Sequence, residues 1–191
     1  MRNTVNSKLL NFAVALTITL ASASFGRAGD SESSVKAPAQ EKPPASPLEP
    51  LAFLVGGEWE AKLPAQADGT QVSILAHFTW ANNHRAIRIS NIYAVGAKSI
   101  PYIDGLYAWH PLKRTIVFSY VDSQGNFYEG TVKQEPGGLL HEFDMTDPKG
   151  EVAQFSARQT RDGTNAWVNE IFSRKEGRLE PQVKVRYEKA K

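Results

Sequence analysis

The sequence predicts an all-β domain, a closed antiparallel up-and-down barrel of about ten strands. Three observations carry that expectation. Helical periodicity is nearly absent after residue 56. In its place come runs of alternating polarity rich in Val, Ile, Phe, Tyr and Thr. Turn residues cut these runs at short intervals and leave no room for crossover helices, so neighbours are antiparallel. About ten such strands need their edges closed or stacked, and closure into a barrel is the simplest solution. A two-sheet sandwich is the alternative.

Composition bounds the function classes. The 191 residues suffice for one domain with a sizeable core. The chain contains no cysteine, which removes disulfides, thiolate metal sites, a cysteine nucleophile and a lipid-anchor cysteine. Lys and Arg total 22 against 20 acidic residues, and Arg2 and Lys8 belong to the N-terminal leader, so the remainder is about neutral. Nucleic-acid binding, which wants a basic stripe, is not expected.

The first fifty residues read as an export signal and a tether. Arg2 and Lys8 give a positive start to the apolar run Leu9–Leu20, which is too short for a comfortable membrane span. Ala21-Ser22-Ala23 is a small-x-small cleavage site, with Gly26-Arg27-Ala28 as a second candidate. The expected signal is residues 1–23, or 1–28 at the second site, with an uncleaved anchor as the alternative. Residues 24–50 carry Pro38, Pro43, Pro44, Pro47 and Pro50, which block helix and ladder alike, and read as a tether or, alternatively, a proline-rich docking motif. The expected location is the periplasm or the cell exterior, with no stable membrane span after cleavage and with residues 51–191 as the barrel domain.

The strands follow in order. They are expected at Glu58–Leu63, Thr70–Ala81, His84–Val95, Ile100–His110 and Thr115–Asp122, then Asn126–Gln134, Leu139–Thr146, Glu151–Thr160, Asn165–Arg174 and Gln182–Glu188. Leu51–Val55 is expected to form a short helical turn leading into the barrel. Taking Asn82-Asn83 as a two-residue turn pairs Trp80 with Arg85, Phe78 with Ile87 and Ala76 with Ile89. Val72, Ile74, Ala76, Phe78 and Trp80 then share the interior with Arg85, Ile87, Ile89, Asn91 and Tyr93. The same logic joins Leu139, His141, Phe143 and Met145. Around Asp162-Gly163, Ala153, Phe155 and Ala157 are grouped with Val168 and Phe172, although Glu170 falls among them.

Leu51-Ala52-Phe53-Leu54-Val55-Gly56-Gly57-Glu58-Trp59 resembles the opening of calycin-type barrels, where a helical turn and Gly-x-Trp close one end. Asp104–Pro111 and Ser119–Gly125 resemble a bacterial family of unknown function with a lipocalin-like domain, although Trp109-His110 replaces that family's Tyr-Asp. The resemblance spans Leu51 to Tyr187 and implies a lipocalin-like barrel. Nitrobindin-like haem barrels also begin with Gly-x-Trp, but their haem rests on a late histidine. Here no histidine follows His141, and Glu58–Leu63 lacks their glycine-rich continuation, so no haem and no other cofactor is expected.

The candidate ligand-binding residues are Arg85, Asn91, Tyr93, Tyr120 and His141. Arg85 beside Trp80 is either a wet-rim residue stacked on the indole or an anchor for a ligand carboxylate, with Glu170 as a candidate internal partner. Asn91, Tyr93 and Tyr120 place polar atoms on apolar faces, as a binding cavity requires and as the ends of a packed barrel also show. His141 is either a donor to a ligand or a neutral core histidine with a backbone partner. Trp59 reads as a plug. No His-x-His pair signals a metal, and no nucleophile elbow or phosphate loop signals catalysis. The expected function is binding of a small apolar or amphipathic molecule in the barrel. An enzyme (hydrolase or isomerase) using the same cavity, or a filled barrel acting as an interaction module with exposed Leu75 and Ile92, are the alternatives. The oligomeric state is left open.

Overall fold

The computed structural model describes residues 46–190. The expected signal and residues 24–45 of the tether lie outside the described residues. A short 3-10 helix, Glu49–Leu54, leads into ten strands. They are β1 Glu58–Lys62, β2 Val72–Ala81, β3 Ala86–Val95, β4 Lys98–His110, β5 Thr115–Asp122, β6 Phe127–Glu135, β7 Gly138–Thr146, β8 Val152–Arg161, β9 Ala166–Lys175 and β10 Arg178–Lys189. Each pairs antiparallel with its sequence neighbour, and β1 also pairs with β10 to close the barrel.

The helix forms because Pro50 sits in its first turn, where a missing N–H costs nothing. Leu48, Leu51 and Leu54 are at most 1% exposed and cover one barrel end, so the packed unit reaches N-terminal of Leu51. Gly56 at φ +87° turns the chain from the helix toward β1, a conformation that costs glycine little. Trp59 then donates its indole N–H to the Leu54 carbonyl at 2.8 Å. Its ring meets Trp167 edge-on, while Trp167 stacks on Tyr187 at 4.1 Å. Leu51–Trp59 is thus a plug, and Arg161 seals its flank by lying 4.1 Å over the Phe53 ring.

Inside and outside separate by alternation. The interior is aromatic and aliphatic, with Phe78, Ile87, Tyr107, Phe118, Phe143 and Trp167 in its core. The outer wall carries charge pairs such as Arg88–Asp104, Lys133–Glu142 and Lys184–Glu170. Leu75 and Ile92 face outward from β2 and β3 and are only half-buried.

Two hairpins differ from expectation, with opposite consequences. Asn82, Asn83, His84 and Arg85 form a four-residue turn, so Ala81 pairs with Ala86 and Phe78 with Ile89. That register is two residues from the expected one, and because side chains alternate with period two, both faces keep their residues. The β8–β9 connection is also four residues, but its ladder begins at Arg161 with Trp167, so Ala157 pairs with Ile171. There the slip is odd, so Trp167, Asn169 and Ile171 face inward, while Val168 and Phe172 do not share the face of Ala157. Glu170 points outward to Lys184 at 2.9 Å and is no partner for Arg85.

Two features shape the end opposite the plug. The β3–β4 ladder shifts between Asn91 and Ile92, opposite Ile103 and Pro101, which leaves Tyr102 as the extra residue of a bulge. The β1–β10 ladder is only two pairs long, Trp59 with Lys189 and Glu60 with Glu188. The N-terminal part of β10 therefore has no β1 partner, and Val183, which pairs with inward Ile171, is 42% exposed.

Candidate functional site at the barrel mouth

The turns at residues 82–85 and 162–165 flank the plug, and Ser46 Oγ donates to the His84 carbonyl there. The opposite end, bounded by residues 96–97, 123–126, 147–151 and 176–177, is the mouth. Three of the five sequence-predicted residues converge on it. Asn91 and Tyr93 lie two apart on the inner face of β3, and Tyr120 faces them from β5. The bulge brings Tyr102 into the same group, its ring 4.2 Å from that of Tyr93. Tyr120 and Tyr128 stack at 4.7 Å, and Phe118 stacks on Tyr120 from below at 5.4 Å.

Asp122 ends β5 inside this cluster and is 7% exposed. It accepts from the backbone N–H groups of Gln124 and Asn126 at 2.9 and 3.0 Å, the Asn126 amide at 2.8 Å and the Tyr128 hydroxyl at 2.9 Å. The carboxylate thus folds the β5–β6 turn and fixes the Tyr128 ring. Burial raises the hydroxyls of Tyr93, Tyr102, Tyr120 and Tyr128 above the usual phenol range, and for Tyr128 the Asp122 charge adds to the effect. All four are neutral phenols at physiological pH.

His141 lies deeper, 3% exposed, with Nε2 3.5 Å from the Tyr107 hydroxyl. Burial pushes its pKa down to about 3, so the ring is neutral. It is a core histidine, but its partner is a phenol rather than the backbone, and Nδ1 has no protein partner. Asn91 Oδ1, Gln159 Oε1, Asn169 Oδ1 and the Trp167 indole N–H are buried without protein partners as well. Gln159 and Asn169 face each other across the β8–β9 ladder.

Arg85 does not belong to the site. It sits exposed in the turn at the plugged end, because the four-residue turn takes it out of β3. His84, not Arg85, stacks on Trp80, with ring centroids 4.8 Å apart and planes parallel within 1°. The carboxylate-anchor reading of Arg85 falls with that placement.

Sequence reasoning missed Tyr102, Tyr107, Asp122, Tyr128, Gln159 and Asn169. Gln159 was within reach, since strict alternation from Phe155 and Ala157 places it inward. Tyr102 carries no such signal, because a bulge breaks the alternation. Among the described residues no three His, Asp or Glu side chains gather to hold a metal ion. Two concavities lie on the outer surface, one beside Asp162, Asn165 and Arg186 and one beside Leu106, His110 and Glu129, and neither includes a sequence-predicted site residue.

No protein-family model matches the sequence, and no curated protein matches it. Among solved structures, the crystal structure of Rv2717c from M. tuberculosis is similar to this chain, with a TM-score of 0.50 and 12% identity over 77% of this chain and 99% of that one. At that identity the likeness concerns the fold, a ten-stranded antiparallel barrel.

Proposed function

We propose that the protein binds a small apolar or amphipathic molecule in its barrel. The observation that carries this reading is the set of buried polar atoms with no protein partner along the interior: Asn91 Oδ1 toward the mouth, and His141 Nδ1, Gln159 Oε1 and Asn169 Oδ1 deeper, toward the plugged end. Each such atom costs roughly 1–3 kcal/mol when left without a partner, and each calls for an explanation. A ligand among aromatic walls, with a few polar contacts fixing its orientation, satisfies them. His141 has Tyr107 rather than a carboxylate beside it. It therefore lacks the orienting anion that typically supports a general base, and binding stands ahead of catalysis.

From the Arg2, Leu9–Leu20 and Ala23 pattern we further propose that binding takes place outside the cytoplasm. Native mass spectrometry of protein purified from its own envelope fraction, with a visible spectrum of the same sample, tests both points. The expected result is a mature chain starting near residue 24 or 29 that carries a stoichiometric small-molecule adduct and no haem band. A leader-bearing chain with no adduct, and nothing released on denaturation, would sink the reading.

A further inference from the structure

Resting on that binding reading, the chemistry of the mouth narrows the ligand. We infer that the site takes an organic cation: an amphipathic amine whose ammonium head lies among Tyr93, Tyr102, Tyr128 and Asp122, with its apolar part running inward past Phe118 and Phe143.

The charge balance points one way. Among the described residues Asp122 is the buried charged side chain, and no lysine or arginine is buried with it. Its four hydrogen bonds come from neutral donors, so its negative charge is solvated but not neutralised. An anionic head group entering the mouth would meet that charge in a poorly hydrated site with no cation to offset it. An ammonium would meet the opposite field.

The aromatic groups point the same way. Ring faces attract cations, and a cage of aromatic side chains is a recurrent receptor for ammonium groups. Tyr93 and Tyr102 are tilted 32° to each other rather than stacked flat, and both are partly exposed at the rim. Because the phenols stay protonated, the rings form a neutral cage.

Asn91 supplies the third, independent observation. Its side chain is 7% exposed, it shares the inner face of Tyr93, and its Oδ1 has no partner. A lone carbonyl oxygen at the floor of the cage wants a donor, and an ammonium N–H is one. The group borders solvent, since Ile100, paired with Tyr93, is 36% exposed. The head-group preference is therefore the reverse of the one an inward Arg85 would have set.

The test uses three probes with one alkyl chain and different heads: octylammonium, octanoate and octanol. Each is titrated calorimetrically into the mature protein below its aggregation concentration. Octylammonium is expected to bind at least about tenfold more tightly than the other two. Asp122→Asn should remove most of that preference. Because Asp122 also holds the β5–β6 turn, a second pair of variants keeps the outcome clean. Tyr93→Phe, which keeps the ring face, should retain octylammonium binding, and Tyr93→Leu should weaken it by about tenfold while octanol binding changes little. Equal binding of all three probes, or a preference for octanoate, overturns the cation inference and leaves the binding reading standing. Absence of binding by all three overturns it too, and the adduct experiment on envelope protein then judges the wider reading separately.

Discussion

His141 shows how burial sets a residue's chemistry. The folded chain holds the imidazole neutral down to a pH of about 3, while an unfolded histidine takes up its proton near 6.5. Acid therefore favours the unfolded state between those values. The contribution is fully present above about pH 6.5 and falls by about 1.4 kcal/mol for each unit below it. Denaturant unfolding at pH 7 and pH 5 should show the wild type losing stability over this window and His141→Leu losing less. Equal pH slopes would mean that the ring is hydrated. Gly105 makes a steric statement of the same kind. It faces Tyr120 across the β4–β5 ladder, and a Cβ there would run into Tyr120 Cβ and the Ser119 carbonyl. Gly105→Ala should cost about 1–3 kcal/mol in urea unfolding and displace the Tyr120 ring from the mouth. The sequence made Asn91, Tyr93, Tyr120 and His141 legible because alternation assigns faces within one strand. It misplaced Arg85 because the two extra residues of the turn take that side chain out of the strand and into solvent.

At the scale of elements, the strands were legible because their period and their turn residues agree. The start of β10 was not, since Glu180 and Pro181 interrupt its pattern and the ladder shifts between Pro181 and Val183. Register was legible only modulo two. The β2–β3 turn is two residues longer than the minimal one, which preserves the faces, whereas the β8–β9 loop changes register by an odd number and hides Asn169 from a reading by alternation. The β2–β3 turn also holds three successive non-glycine residues at positive φ: Asn82, Asn83 and His84 at 50°, 53° and 64°. Asparagine tolerates that region better than most residues, yet glycine tolerates it best. Asn83 is exposed and its side chain makes no hydrogen bond to the protein, so Asn83→Gly should stabilise by up to about 1 kcal/mol in thermal or urea unfolding. His84 is the poorer place for the same change, because its ring covers Trp80. A loss of stability in Asn83→Gly would show that the asparagine side chain holds the turn.

Across the whole molecule, stability and access are divided between the two ends. The plugged end concentrates Leu48, Leu51, Leu54, Trp59, Phe78 and Trp167, all nearly inaccessible to solvent. The mouth end has partly exposed tyrosines, a bulge on β3–β4 and a β10 segment with no β1 partner. Local opening follows buried contact density, so protection should fall from plug to mouth. Native-state hydrogen exchange should find the slowest amides in β2, β3 and β9 near the plug, and the fastest ladder amides in the Arg178–Lys184 part of β10. A ligand seated in the mouth adds contacts where the empty barrel has fewest, so its binding energy should appear there as slowed exchange, with little change around the plug. Uniform protection along β10 with no response to octylammonium would instead describe a barrel that is closed along its whole length. The residues that look like a site would then be the polar end of a filled core.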